Sequence, residues 1–89
     1  MQIEHFSDYQ ALSERACELI LQQLEKKPKT LLCPATGSTP LLAYQLLSKK
    51  LKGKSSSLSL VMLDEWYGLD KDQEGSCFAY LQKNLITPL

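Results

Sequence analysis

Leu12, Ala16, Leu19, Ile20 and Leu24 recur at steps of three and four residues, opposite the polar Glu14, Arg15, Glu18, Gln22 and Glu25. That period predicts an amphipathic helix with one apolar stripe for a sheet. Ser7 and Gln10, three apart, predict a capping box at its start. Lys26 and Lys27 suit the negative end of the helix dipole, and Pro28 ends the helix because it cannot continue the hydrogen-bond ladder. Residues 30–33 form a short apolar run without alternation, the pattern of a strand covered on both faces. A second helix is predicted over residues 40–51, with Leu42, Leu46 and either Leu47 or Leu51 inward. Gly53 and residues 55–57 make a flexible connection to a second strand at 58–63. After a polar loop, residues 76–85 predict a third helix through Phe78, Leu81 and Leu85, with Pro88 as a boundary.

The order helix, strand, helix, strand, helix predicts an α/β fold: a three-layer, Rossmann-like parallel sheet with helices on both faces. Two parallel strands do not make an independently stable sheet. Residues 1–89 are therefore expected to be the N-terminal part of a single domain, inactive and poorly folded alone.

Ten Lys plus Arg balance ten Asp plus Glu, so the net charge is zero. A broad positive field for nucleic acid or an anionic membrane is thereby excluded, and a small molecule or a protein is the expected partner. The three cysteines, Cys17, Cys33 and Cys77, are widely spaced with no metal or dithiol pattern, which predicts buried thiols in a reducing compartment. The start of the chain lacks the basic stretch and apolar run of a signal peptide, and no window reaches the roughly 18–20 apolar residues of a membrane span. The expected location is cytoplasmic.

Two turns carry candidate chemistry. Ala35, Thr36, Gly37, Ser38 and Thr39 join the first strand to a helix opening at Pro40. Gly37 permits a sharp turn and close approach of a ligand, Thr39 is a candidate N-cap, and Pro40 suits the first helical position. The N–H groups and hydroxyls of such a turn, with the helix dipole, suit a phosphate or other anion. The same residues also serve simply as a helix cap. The glycine spacing fits neither the dinucleotide fingerprint nor the P-loop.

The second strand runs into Asp64, Glu65 and Trp66, at the strand end where open α/β sheets place ligands. An Asp partly desolvated by a neighbour such as Trp66 becomes more basic and can remove a proton from a carbon beside a carbonyl or imine. Neighbours on an extended segment point opposite ways, so Asp64 and Glu65 are expected to have different jobs. Solvated, purely structural carboxylates are the alternative. Both turns lie at the same end of adjacent parallel strands, which predicts one shared crevice. His5 is expected at the surface.

The stretch ATGSTPLLAY at 35–44 and LDEWYGL at 63–69 resemble the glucosamine-6-phosphate deaminase superfamily, which also contains 6-phosphogluconolactonases. YQALSERA at 9–16 and TPLLAYQLL at 39–47 look closest to its galactosamine-6-phosphate deaminase/isomerase branch. The resemblance implies aldose-to-ketose isomerisation of an amino-sugar phosphate with loss of ammonia. It implies that Asp64 takes the C2 proton, that Gly37, Ser38 and Thr39 hold the substrate phosphate with Thr36 beside them, and that Glu65 supports. It implies no metal or organic cofactor, and family members often form homo-oligomers. The family's ring-opening His, further carboxylates and basic phosphate clamps lie in a later half.

Two other readings stay open. In a 6-phosphogluconolactonase the Asp-Glu pair is usually followed by Arg, where this chain has Trp66. A sugar-phosphate-sensing domain of a transcription regulator would accompany a helix-turn-helix segment, and no such pattern is seen in this chain.

Overall fold

A computed structural model describes residues 2–53, 58–71 and 73–88. The elements, in order, are α1 (Tyr9–Lys26), β1 (Leu31–Leu32), α2 (Leu41–Leu51), β2 (Ser59–Leu60) and α3 (Cys77–Leu81), the last continuing into a π-helical turn at Gln82–Ile86. β1 and β2 pair in parallel, Leu31 opposite Ser59 and Leu32 opposite Leu60. The chain is thus a partial α/β unit, as the alternation of patterns predicts. The connection expected at 55–57 lies outside the described residues.

Local details depart from the pattern. Asp8, not Ser7, caps α1 by accepting from the Ala11 N–H at 2.7 Å, because its carboxylate reaches the third helical residue. The buried positions of α1 are Ser13 and Cys17, while Leu12 and Leu19 are about half exposed. α1 packs against α2, and small residues one turn apart let two helices approach closely, so the stripe is rotated by about one residue from the leucines. In α2 the buried positions are Ala43, Tyr44, Leu47 and Ser48, with Leu46 and Leu51 only partly buried against the cluster.

The core consists of Cys17, Tyr44, Leu47, Leu81 and Leu85, drawn from all three helical segments. Leu32, Leu60 and Met62 pack against it from the sheet. Their alternating neighbours Leu31, Val61 and Leu63 are 64%, 45% and 58% exposed. Among the described residues, then, the apolar runs are covered on one face. Cys33 is exposed as well, unlike the buried Cys17 and Cys77.

Ser76 caps α3 by accepting from the Ala79 N–H at 2.9 Å and donates to the Lys71 carbonyl at 2.7 Å. The expected uninterrupted helix over 76–85 widens after Leu81. The Asn84 side-chain amide donates to the Tyr80 carbonyl at 2.9 Å, competing for an acceptor that a regular turn would assign to a backbone N–H. The buried Ser48 hydroxyl lies 3.2 Å from the Leu85 carbonyl, tying α2 to the widened turn.

Candidate functional site

The β1–α2 turn is held from outside by tyrosines of three helices. Tyr44 of α2 donates its hydroxyl to the Ala35 carbonyl, and Tyr80 of α3 donates to the Gly37 carbonyl. Tyr9 of α1 reaches the Ser38 carbonyl at 2.8 Å and the Thr39 carbonyl at 3.0 Å. The Tyr9 oxygen also accepts from the Leu42 N–H at 3.2 Å. This last bond corrects the expected role of Thr39. The N-cap position of α2 is Pro40, which has no side-chain cap, and Leu42 is the second helical residue, whose N–H a cap normally serves. A hydroxyl from α1 fills that place instead.

Gly37 has φ +115°, a conformation that side-chain-bearing residues rarely adopt, and no atom would lie within 4 Å of an added Cβ. The glycine is required by the backbone and not by crowding. Tyr44 and Tyr80 meet edge to face with ring centroids 6.4 Å apart. Burial, chiefly, pushes the Tyr44 hydroxyl up to about 12, with Tyr80 adding to the shift, and burial also raises Tyr80. Both remain neutral donors throughout the physiological range.

The turn after β2 is fixed in the opposite sense. Glu65 accepts from the N–H groups of Cys77 at 2.5 Å, Phe78 at 2.9 Å and its own neighbour Trp66 at 2.9 Å. These amides, Cys77 first and Phe78 next, hold the carboxyl down at about 2 from an ordinary 4.5. Gly68, at φ +88°, then turns the chain, and the Leu69 N–H reaches the Trp66 carbonyl at 3.3 Å.

Asp64 takes no part in this latch and makes no hydrogen bond among the described residues. It is exposed, and Trp66 is 66% exposed, so the sheltering expected around this carboxylate is not present among the described residues.

Cys77 links the two turns. The Thr36 hydroxyl donates to its sulfur at 3.7 Å, while its N–H is held by Glu65. Burial pushes the thiol up, with Glu65 and Asp64 adding negative charge nearby and the Thr36 hydroxyl opposing. A cleft of about 340 Å³ opens here, lined by Thr36 and Gly37 of the first turn, Trp66 of the second, the cap residue Ser76, and Cys77 and Tyr80 of α3. Lys83 brings a positive charge to its wall and Glu74 a negative one. Both turns therefore contribute to one cleft, although Ser38, Thr39 and Asp64 stand outside its lining. A larger hollow of about 470 Å³ between α2 and the π turn touches none of the candidate site residues Thr36, Gly37, Ser38, Thr39, Asp64 and Glu65.

Sequence reasoning missed Tyr9, Tyr80, Cys77 and Lys83. The tyrosines act on partners up to 43 residues away, so no local pattern marks them. Ser76 ahead of the third apolar run was the one sequence feature able to point to the α3 N-terminus.

No family model matches the chain. AgaI of Escherichia coli (strain K12), a candidate deaminase, is 40% identical over 98% of this chain and 36% of its own length. The glucosamine-6-phosphate deaminase of Clostridium novyi (strain NT) is 40% identical over 97% of this chain and 37% of its own length. A solved structure of a monomeric glucosamine-6-phosphate deaminase, described as a missing link of the NagB superfamily, superposes with a TM-score of 0.91 at 26% identity. It covers all of this chain and 38% of that one. Over the 36–38% of their length that it spans, the chain is thus similar in sequence to these deaminases and in fold to the deaminase of the NagB superfamily.

Proposed function

We propose that these residues are the N-terminal part of the single catalytic domain of a cytoplasmic amino-sugar-phosphate deaminase/isomerase acting on glucosamine 6-phosphate or its galactosamine epimer. Thr36, Gly37, Ser38 and Thr39 bind the substrate phosphate through main-chain N–H groups and hydroxyls. Asp64 removes the C2 proton of the ring-opened amino sugar, giving an enolamine that is reprotonated at C1. Water then replaces nitrogen at C2, leaving a ketose phosphate and ammonia. Glu65 holds the Asp64 turn and does not exchange protons.

The observation that carries this reading is the division of labour between two adjacent carboxylates. Glu65 accepts from three amides, and Asp64, beside it, has no hydrogen-bond partner among the described residues. A proton acceptor needs that freedom. The names of the relatives supply the substrate class.

The test is an ammonia-release assay on the full-length protein with both amino-sugar 6-phosphates, beside a hydrolysis assay on 6-phosphogluconolactone. Ammonia is expected from at least one amino sugar, and Asp64→Asn is expected to lower kcat by about 10²–10⁴-fold while substrate still binds. Turnover of the lactone alone, or an Asp64→Asn enzyme with undiminished kcat, would overturn the assignment.

A further inference from the structure

The β1–α2 turn has an unusual balance of satisfied and open groups. The carbonyls of Ala35, Gly37, Ser38 and Thr39 all accept from tyrosine hydroxyls. No described residue accepts from the N–H groups of Thr36, Gly37, Ser38 or Thr39. The turn is exposed or half-buried from Ala35 to Thr39, so these donors are open to water or to a ligand.

The two observations are geometrically one. No peptide bond here is cis, and in a trans peptide the C=O of one residue points opposite to the N–H of the next. Anchoring the Ala35 carbonyl therefore fixes the direction of the Thr36 N–H. Anchoring Gly37 fixes the Ser38 N–H, and anchoring Ser38 fixes the Thr39 N–H. The three anchors come from α1, α2 and α3, so the turn is gripped from independent directions.

We propose that Tyr9, Tyr44 and Tyr80 are positioning residues that aim the Thr36, Ser38 and Thr39 amides at a phosphate group. The inference rests on the reading of this turn as the phosphate subsite and adds what sets its geometry. None of the three hydroxyls needs to touch the ligand, since each acts through the opposite end of a peptide plane. A rigid array of donors binds an oxyanion better than a mobile one because less ordering is left for the binding step.

The probe is inorganic phosphate, titrated into the full-length protein and into its Tyr9→Phe, Tyr44→Phe and Tyr80→Phe variants, with backbone amide resonances of 36–39 observed by NMR. Wild type is expected to show saturable shifts at Thr36, Ser38 and Thr39. Each Phe variant is expected to weaken phosphate binding by roughly 3–10-fold, the change associated with one lost neutral hydrogen bond. KM for the amino-sugar phosphate should rise in parallel and kcat much less. Leu24→Ala, which thins α1 far from the turn, serves as the control: it should lower the melting temperature and leave phosphate affinity alone. Phe variants that bind phosphate like wild type, a control that loses as much affinity as they do, or no phosphate shifts in wild type would each overturn the proposal. Phosphate binding that weakens in the Phe variants, without ammonia release from either sugar, would leave this proposal standing and sink the enzymatic reading. Ammonia release with wild-type KM and phosphate affinity in all three variants would do the reverse.

Discussion

The two turns at the carboxyl ends of β1 and β2 are held by opposite chemistries. In the first, neutral hydroxyls donate into carbonyls, and the donor side of the turn is left open. In the second, one carboxylate accepts from amides, and its neighbour Asp64 is left open. A turn that presents donors suits an anion, and one that presents a lone carboxylate suits a proton to be taken. The means of anchoring thus decides what each turn offers to a ligand. The two also differ in their response to acid, since the Tyr44 and Tyr80 hydroxyls, both pushed up by burial, keep their protons as pH falls whereas the Glu65 latch requires ionisation.

Short of replacing Asp64 itself, the largest expected effect comes from cutting the latch. Glu65→Ala leaves three amides without their acceptor and frees the Asp64 turn, and displacement of a catalytic group by about 1 Å costs on the order of 10²-fold in kcat/KM. Steady-state kinetics of the proposed deaminase reaction on the full-length protein check this, and a change under threefold would show that the turn is held by other means. Glu65→Gln sharpens the comparison because it keeps one accepting oxygen and loses the charge, so its loss should be intermediate.

Next in size is the backbone of the first turn. Gly37→Ala forces a side chain into φ +115° with no steric neighbour to relieve. The expected cost is about 1–2 kcal/mol of stability by denaturant unfolding, accompanied by a rise in KM. An unaffected variant would mean that the turn relaxes to another conformation without consequence.

A smaller and more selective effect is expected from acid. The folded carboxyl of Glu65 sits at about 2 against an ordinary 4.5. Its contribution is therefore complete above about pH 4.5 and is lost as pH falls from there toward 2. Amide resonances around 64–68 should broaden or shift in this window before those of 35–39. Simultaneous loss of both sets would erase the contrast. The smallest effect belongs to Ser76→Ala, which removes the α3 cap and should cost about 1 kcal/mol, with little change at the first turn.

Much of this arrangement is legible in the sequence, for identifiable reasons. The helices follow from apolar periods bounded by Pro28, Gly53 and Pro88, which are local signals. The pairing of the two strands follows from the alternation of helix and strand patterns. The buried face of α1 is harder to read, because Ser13 and Cys17 are chosen by the close approach of α2 over the larger Leu12 and Leu19. Asp8 and Ser7 are neighbouring candidates for one cap, and only geometry separates them. The tyrosine anchors and the bonds from Glu65 to Cys77 and Phe78 join residues 9 to 43 positions apart. A pattern read over a few turns of chain cannot contain them. The sequence marks Glu65 only as a carboxylate at the strand end with a different job from Asp64, whereas its hydrogen bonds give it a specific mechanical task.

The grip of Glu65 on α3 also bears on how this region tolerates change over evolutionary time. It holds main-chain groups of Cys77 and Phe78, which nineteen of the twenty amino acids supply identically. Position 78 is thus free to drift in side chain without loosening the acidic turn. Proline is the single residue barred, because it alone arrives without the hydrogen that the carboxylate holds.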